Sequence, residues 1–423
     1  MRIIYTTFMS KSIKRSQKKS KNIYLDYASS VEPNPSSIHS LGIQARSKLE
    51  NARKEIAGVL FARTDEIIFT SGGTESNNLA IQGVVFAWHE QNKGNILPHI
   101  ITTNIEHASV LETFKLLSER KLAEISIVAV EENGIVDPKR IKKEIKKNTI
   151  LVSVMYANNE IGTVQSIREI AKEIRHWKKG KGSLLEHGYF STEKFLVLAP
   201  TRSQVSKKPP LPFFHTDAVQ AANYLDLNME KLGVDLLTLS GSKIEGAGRV
   251  GVLYKKKSVV LVNIFGGGDQ EFGLRPGTEN LPEILRFFSA LKEAEAIKDK
   301  EVKRLTILRD YFFKKLSKMP FDIVTNGDLK YRLPNNINIT IPKIPSDLLV
   351  IELSAKGIMA SSKSACKSGD GKASHVIKAI NSNVNEADGS LRFSLGRKTT
   401  KSDIDFTVKA LSEILTKLRK WYN

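Results

Sequence analysis

Between Glu66 and Tyr254 the chain returns again and again to short apolar runs rich in β-branched residues, with amphipathic stretches between them. The runs are Glu66-Ile67-Ile68-Phe69-Thr70, His99-Ile100-Ile101-Thr102-Thr103, Ile150-Leu151-Val152-Ser153-Val154-Met155, Phe213-Phe214-His215-Thr216, Leu236-Leu237-Thr238-Leu239 and Val250-Gly251-Val252-Leu253-Tyr254. They are too short for buried helices and read as buried strands. The intervening stretches carry helical spacing, as at Ile167, Ile170, Ala171 and Ile174. Strands separated by helices imply a mostly parallel sheet covered on both faces. A chain of 423 residues, 41% hydrophobic, has enough apolar surface for one or two such cores. The expected class is therefore α/β: a large domain with a mostly parallel sheet flanked by helices.

Two segments break this rhythm. Residues 180–212 contain Gly180, Gly182, Pro200, Pro209, Pro210 and Pro212 without a clear period, and read as a flexible surface insertion. From about Asn280 a long charged helix, roughly Glu283 to Met319, leads into strand-like Asn335-Asn336-Ile337-Asn338-Ile339-Thr340 and a last helix from about Ser402 to Trp421. That order predicts a smaller α+β domain. Residues 1–22 hold seven Lys/Arg and no acid, and are expected to be a disordered basic leader. The predicted organisation is a leader at 1–22, a large domain over 34–295 that contains the insertion, and a small domain built from 23–33 and 296–423.

The leader and the insertion hold most of the net charge of +20, so the body is only mildly basic. Direct nucleic-acid binding is not expected from such a distribution. Cys366 is the only cysteine. It excludes an internal disulfide and any thiolate metal cluster built by this chain alone, and no metal is expected. A reducing compartment follows: the cytoplasm, or an organelle matrix if the basic leader is a targeting peptide. No run approaches the ~18 apolar residues of a membrane helix, so no membrane partner is expected.

Three segments carry chemistry, each after a predicted strand. Phe69-Thr70-Ser71-Gly72-Gly73-Thr74-Glu75-Ser76-Asn77-Asn78 runs from a strand through a Gly-Gly turn into a helix. A helix start of that kind offers free N–H groups to an anion, although a plain tight turn has the same residues. It is neither an ATP-type phosphate loop nor a dinucleotide fingerprint. Phe214-His215-Thr216-Asp217-Ala218-Val219-Gln220 puts an acid at a strand end, where it can face a cleft or cap a helix. Leu239-Ser240-Gly241-Ser242-Lys243 puts a lysine in the same place, solvated or desolvated into a nucleophilic amine. Taken together they fit one cofactor: pyridoxal 5'-phosphate needs a phosphate cup, an acid for its pyridine nitrogen and a lysine for a Schiff base.

The wider sequence resembles the cysteine desulfurases of the class V aminotransferase family, the branch with the longer catalytic loop. The resemblance rests on Tyr24-Leu25-Asp26-Tyr27-Ala28, Asn34-Pro35-Ser36-Ser37-Ile38-His39, Thr70 to Asn78, Glu106-His107, Asn158-Asn159-Glu160-Ile161-Gly162, His215 to Gln220, Arg275-Pro276-Gly277-Thr278-Glu279-Asn280, Ser364-Ala365-Cys366 and Arg392-Phe393-Ser394-Leu395-Gly396-Arg397. It implies the pyridoxal-phosphate-dependent transferase fold. It also implies roles. Lys243 would be the Schiff-base lysine, Asp217 would pair with the pyridine nitrogen and Gln220 with the ring hydroxyl. His107 would stack on the ring and move protons. Gly73, Thr74, Ser240 and Ser242 would hold the phosphate, and Asn159 would lie beside cofactor and substrate. Thr278 would reach the phosphate of the other subunit of a homodimer. Arg392, helped by Asn34, would grip the carboxylate of L-cysteine. Cys366, in a Ser- and Gly-rich segment between Lys363 and Lys367, would attack the substrate sulfur and carry a persulfide to an acceptor protein. Such acceptors would be an iron–sulfur scaffold or a sulfur carrier for tRNA thiolation.

The sequence departs from the family pattern at Ser242, where a histidine is usual, at Glu245, where an aromatic is usual, and in the short stretch between Ala28 and Asn34, which leaves no room for an N-terminal helix. A selenocysteine lyase, another class V pyridoxal enzyme, and a weakened enzyme that acts as a docking partner remain alternative readings.

Overall fold

The computed structural model describes residues 23–92, 96–180, 211–362, 374–381 and 389–422. The basic leader, nearly all of the 180–212 insertion and Cys366 lie outside these residues. In chain order the elements are α1 (Ser40–Leu60), β1 (Ile67–Thr70), α2 (Gly73–Asn92), β2 (His99–Thr103), α3 (Ala108–Glu119), β3 (Glu124–Val128), α4 (Pro138–Glu144), β4 (Thr149–Ser153), α5 (Ile167–Gly180), β5 (Phe213–Asp217), α6 (Met229–Leu232), β6 (Leu236–Ser240), β7 (Gly251–Lys255), α7 (Leu281–Leu316), β8 (Val324–Thr325), β9 (Asn336–Ile341), α8 (Ser346–Ala355), α9 (His375–Ile380), β10 (Gly389–Ser394) and α10 (Lys401–Leu418).

Seven strands form one sheet in the order β1-β7-β6-β5-β4-β2-β3. Strand β7 runs antiparallel to both β1 and β6, and every other pairing is parallel. Six strands therefore share one direction and end at one edge. Alternate residues of these strands serve opposite faces. Phe69, Ile101, Val152, Phe214, Leu237 and Val252 pack in one core with α1, α5 and the first half of α7. Their neighbours Ile68, Ile100, Leu151, Phe213, Leu236 and Leu253 pack in the other with α2 and α3. Burial on both faces is why these strands read as continuous apolar runs.

A second sheet, β10-β9-β8, is antiparallel throughout and packs with α8, α10 and the second half of α7. Helix α7 thus passes from one core to the next: Phe287 and Leu291 belong to the first, Leu305 and Phe312 to the second. It starts two residues before the expected Glu283, because Asn280 caps it and Pro282 tolerates a first-turn position, and it ends three before Met319. Among the described residues no helix precedes α1, and no helix is long and apolar enough to cross a membrane.

One buried ion pair ties α1 to the segment around Glu271 and to edge strand β1. The Arg53 guanidinium donates to both Glu271 oxygens at 2.7 and 2.8 Å and to the Ile67 carbonyl at 2.7 Å. Glu271 also accepts the Phe69 N–H at 2.7 Å. The rings of Phe69 and Phe272 lie 4.8 and 5.2 Å from the guanidinium. Glu271 and Phe272 both hold left-handed backbone, φ 49° and 61°, which a non-glycine residue adopts only when its surroundings compel it. Arg53→Ala leaves a buried carboxylate without its cation and is expected to lower stability by about 3–5 kcal/mol. The apolar pair Arg53→Met with Glu271→Leu should lose less. Urea unfolding midpoints of the two variants check the order.

Candidate active site

The shared edge of the six strands carries the site, as expected where loops leave the carboxyl ends of parallel strands. A cavity of about 980 Å3 opens there, lined from both sheets. Beyond β1 the chain turns through Ser71 and Gly72 into α2. A Cβ on Gly73 would stand 2.9 Å from Val219 Cγ2 and 3.3 Å from Ser240 Cβ, so only glycine lets the helix start lie this close to the ends of β5 and β6. The Ser240 and Ser242 hydroxyls, 3.0 Å apart, line the cavity with Gly73 and Thr74. Free N–H groups at the start of a 20-residue helix, facing hydroxyls, make an anion cup.

Asp217 closes β5 and is 5% exposed. It accepts the Val219 N–H at 3.0 Å and Asn77 Nδ2 at 2.7 Å. Burial pushes its carboxyl above the ordinary range, against the pull of those two donors and of nearby His107. Gln220 lines the cavity one turn on. Lys243 ends a 3₁₀ turn directly after β6. Asn223 Nδ2 holds its carbonyl at 2.7 Å. Its Nζ has no hydrogen-bond or ion-pair partner among the described residues.

His107 caps α3: its Nδ1 accepts the Ser109 N–H at 3.1 Å and lies 2.8 Å from Ser109 Oγ. Beside it, Glu106 is fully buried under the cavity floor. One oxygen accepts from Thr103 Oγ1 at 2.6 Å and from the Met155 N–H at 3.0 Å; the other has no partner. Burial raises its carboxyl to about 8.

The second sheet supplies the opposite wall. Asn158 accepts the Glu160 and Ile161 N–H groups and builds the turn that presents Asn159. Arg392 crosses from β10 and donates Nη1 to the Asn159 carbonyl at 2.9 Å. Its Nε is buried without a partner, and burial pulls its guanidinium below its usual value. A buried guanidinium with an unfilled donor suits a carboxylate arriving from outside.

The structure thus gathers Gly73, Thr74, His107, Asn159, Asp217, Gln220, Ser240, Ser242, Lys243 and Arg392 around one cavity. Asn34 does not line it; its Oδ1 accepts the Ser36 N–H at 2.9 Å within its own turn. Thr278 is exposed and also lies off the cavity. The segment containing Cys366 is not described, but its flanks are. Ser361 exchanges backbone hydrogen bonds with Arg392 at 3.1 and 2.7 Å, and Ser362 Oγ donates to Asp347 at 2.8 Å. On the other flank Ser374 donates to Glu160, and His375 Nε2 donates to the Glu106 carbonyl at 3.0 Å. Glu245 meets Arg397 at 3.5 Å instead of offering a ring. Sequence reading gave no role to Asn77, Ser109 or the buried state of Glu106. The one available signal was a serine two residues after His107 at a helix start.

The aminotransferase class-V profile matches residues 10–181 and 207–406. The chain belongs to the class-V aminotransferase family. It is 39% identical over 416 residues to the cysteine desulfurase IscS of Dictyoglomus turgidum, spanning 94% of this chain and 96% of that one. It is 38% identical over 395 residues to the cysteine desulfurase IscS of Methanosarcina thermophila, spanning 93% and 88%. Among solved structures, a NifS-like protein superposes with a TM-score of 0.76 at 31% identity, over 91% of this chain and 92% of that one. A NifS-like protein from Rickettsia africae superposes with a TM-score of 0.72 at 27% identity, over 90% and 92%. The family's cofactor is pyridoxal 5'-phosphate. The cavity fits it on its own chemistry: a cup for the phosphate, a buried acid with only N–H donors around it, and an amine without a partner.

The Glu106 carboxyl gives a pH test of this floor. Its folded value lies above its unfolded value, so the neutral form stabilises the fold below about 4.5, and that contribution is lost as pH rises toward about 8. Glu106→Gln cannot ionise. Its stability relative to the native protein is expected to grow steadily between pH 5 and 8, measured by thermal unfolding in matched buffers.

Proposed function

We propose that this chain is a pyridoxal-phosphate-dependent L-cysteine desulfurase that releases alanine and holds the sulfur as a persulfide on Cys366. The observation that carries the reading is the convergence of Asp217, Lys243, His107 and the unfilled Arg392 on one cavity, in a chain whose relatives bear the name cysteine desulfurase.

The residues divide the work. Gly73, Thr74, Ser240 and Ser242 would hold the cofactor's phosphate. Asp217 would pair with its pyridine nitrogen, and Gln220 would bond its ring hydroxyl. When bound, pyridoxal phosphate supplies an electron sink for bonds at the substrate's α-carbon. Arg392 would orient L-cysteine by its carboxylate, with Asn159 beside it. Lys243 Nζ would take and return protons at the substrate's α-carbon, and His107 would serve in proton transfer from its own place on the cavity wall. The Cys366 thiolate attacks the substrate sulfur. An S–S bond forms, the C–S bond breaks, and its electron pair stays with the carbon fragment, which gains a proton and leaves as alanine. The persulfide's outer sulfur then passes to an acceptor thiol.

The reading extends to a homodimer in the cytoplasm. The exposed position of Thr278, away from its own cavity, supports a role at a partner's site. So do the exposed apolar residues Ile23, Leu25, Val31 and Ile38, which a second copy would cover. The acceptors are an iron–sulfur scaffold or a sulfur carrier for tRNA thiolation.

The test is sulfide and alanine release from L-cysteine with a reductant and added cofactor. The native chain is expected to be active. Cys366→Ala should lose sulfide release while keeping the cofactor's visible absorbance. Native protein that binds cofactor yet releases neither product, with or without a candidate acceptor, would sink the proposal. Arg392→Ala removes charged hydrogen bonds worth about 1.5–3 kcal/mol, so KM for cysteine should rise roughly 10- to 100-fold with a smaller change in kcat.

A further inference from the structure

Asp217 and His107 stand on different elements, yet one chain of hydrogen bonds joins them, and with Asp217 ionised each of its links can point only one way. The ionised carboxylate only accepts, so the Asn77 amide then faces it with its nitrogen, at 2.7 Å. The second proton on that nitrogen goes to Ser109 Oγ at 2.8 Å. The hydroxyl of Ser109 then has its own proton left for His107 Nδ1, 2.8 Å away. The Ser109 backbone N–H points at the same nitrogen from 3.1 Å. Nδ1 receives two donors and carries no proton. The ring proton is left on Nε2, which has no partner among the described residues.

Burial makes this polarity hard to escape. Asn77, Asp217 and Ser109 are 1%, 5% and 8% exposed, so little of the chain is open to competition from water. Turning the Asn77 amide would set its oxygen against the carboxylate. The fold leaves that oxygen, Oδ1, buried without a partner instead. An unsatisfied buried acceptor is destabilising, and here it accompanies the one orientation that the ionised carboxylate permits.

We propose that Asn77 and Ser109 are positioning residues that lock His107 in the Nε2-protonated form through a one-way hydrogen-bond chain beginning at Asp217. Its catalytic meaning rests on the proposed function: His107 meets the cavity as a donor, and its form is set by the same carboxylate that faces the cofactor. Neutralising Asp217 would free the amide to turn and would release the lock at His107.

The test reads the tautomer directly, on cofactor-free protein, so it does not depend on turnover. Magic-angle-spinning 15N spectra of protein grown on labelled histidine separate protonated from unprotonated ring nitrogens, and His107→Gln identifies the His107 pair among the eight histidines. The native protein should show one form, with Nε2 protonated and Nδ1 bare. Ser109→Ala and Asn77→Leu should each raise the minor tautomer several-fold, and Ser109→Thr, which restores the hydroxyl, should return the native pattern. A native Nδ1-protonated ring or an even mixture overturns the proposal without any variant. So does an unchanged pattern in both Ser109→Ala and Asn77→Leu. Absence of sulfide release together with the expected tautomer pattern would sink the desulfurase reading and leave the lock standing.

Discussion

Strand direction is the constraint on which the site depends. Because six strands of the large sheet run the same way, Thr70, Thr103, Ser153, Asp217 and Ser240 all end at one edge, although they are scattered over 170 positions of sequence. Each following loop then starts within reach of the others. Burial on both faces fixes the register, since a one-residue slip would exchange Ile68 for Phe69 or Phe213 for Phe214 between two filled cores. The chemical groups are therefore held by packing far larger than the site itself. The antiparallel strand β7 does not interrupt this, because it lies between β1 and β6 and returns the chain to the other end of the sheet.

The second constraint is the junction between the two sheets. Arg392 belongs to β10 but bonds the Asn159 turn above the first sheet. Asn336 and Asn338 of β9 both donate to the Glu160 carbonyl, at 2.9 and 3.0 Å. Helix α7 is buried in both cores along its length and prevents one sheet from rotating freely against the other. The Arg392 guanidinium is thereby held across the cavity from Lys243 and Asp217, which follow strands of the other sheet.

Much of this was legible in the chain. Two-sided burial produces continuous apolar runs, so the strands β1, β2, β4, β5, β6 and β7 announce themselves. Functional residues placed immediately after such runs, Gly73, Asp217 and Lys243, inherit that legibility. Strand β3 is not legible, because its Glu124-Ile125-Ser126-Ile127-Val128 is largely exposed or half-exposed, unlike the fully buried edge strand β1, and its pattern is weak. The Arg53–Glu271 pair was not read either, since 218 positions separate two charges that ordinarily belong to solvent. Asn77 lay inside a quoted motif without a role, because the direction of an amide is set by a carboxylate 140 positions away. Polar partnerships across sequence have no periodicity to betray them. Apolar faces do.

The flanks of the segment that holds Cys366 carry a consequence for sulfur delivery. Ser362 and Ser374 are both hydrogen-bonded to the framework, at Asp347 and Glu160. Cys366 is four residues from the first and eight from the second, so the shorter arm limits its α-carbon to about 14 Å from Ser362. On the proposed function, an acceptor would have to bring its own thiol inside that radius, so the shape of the surface around Ser362 and Ser374, rather than the affinity of the sulfur for any one protein, would decide who can be served.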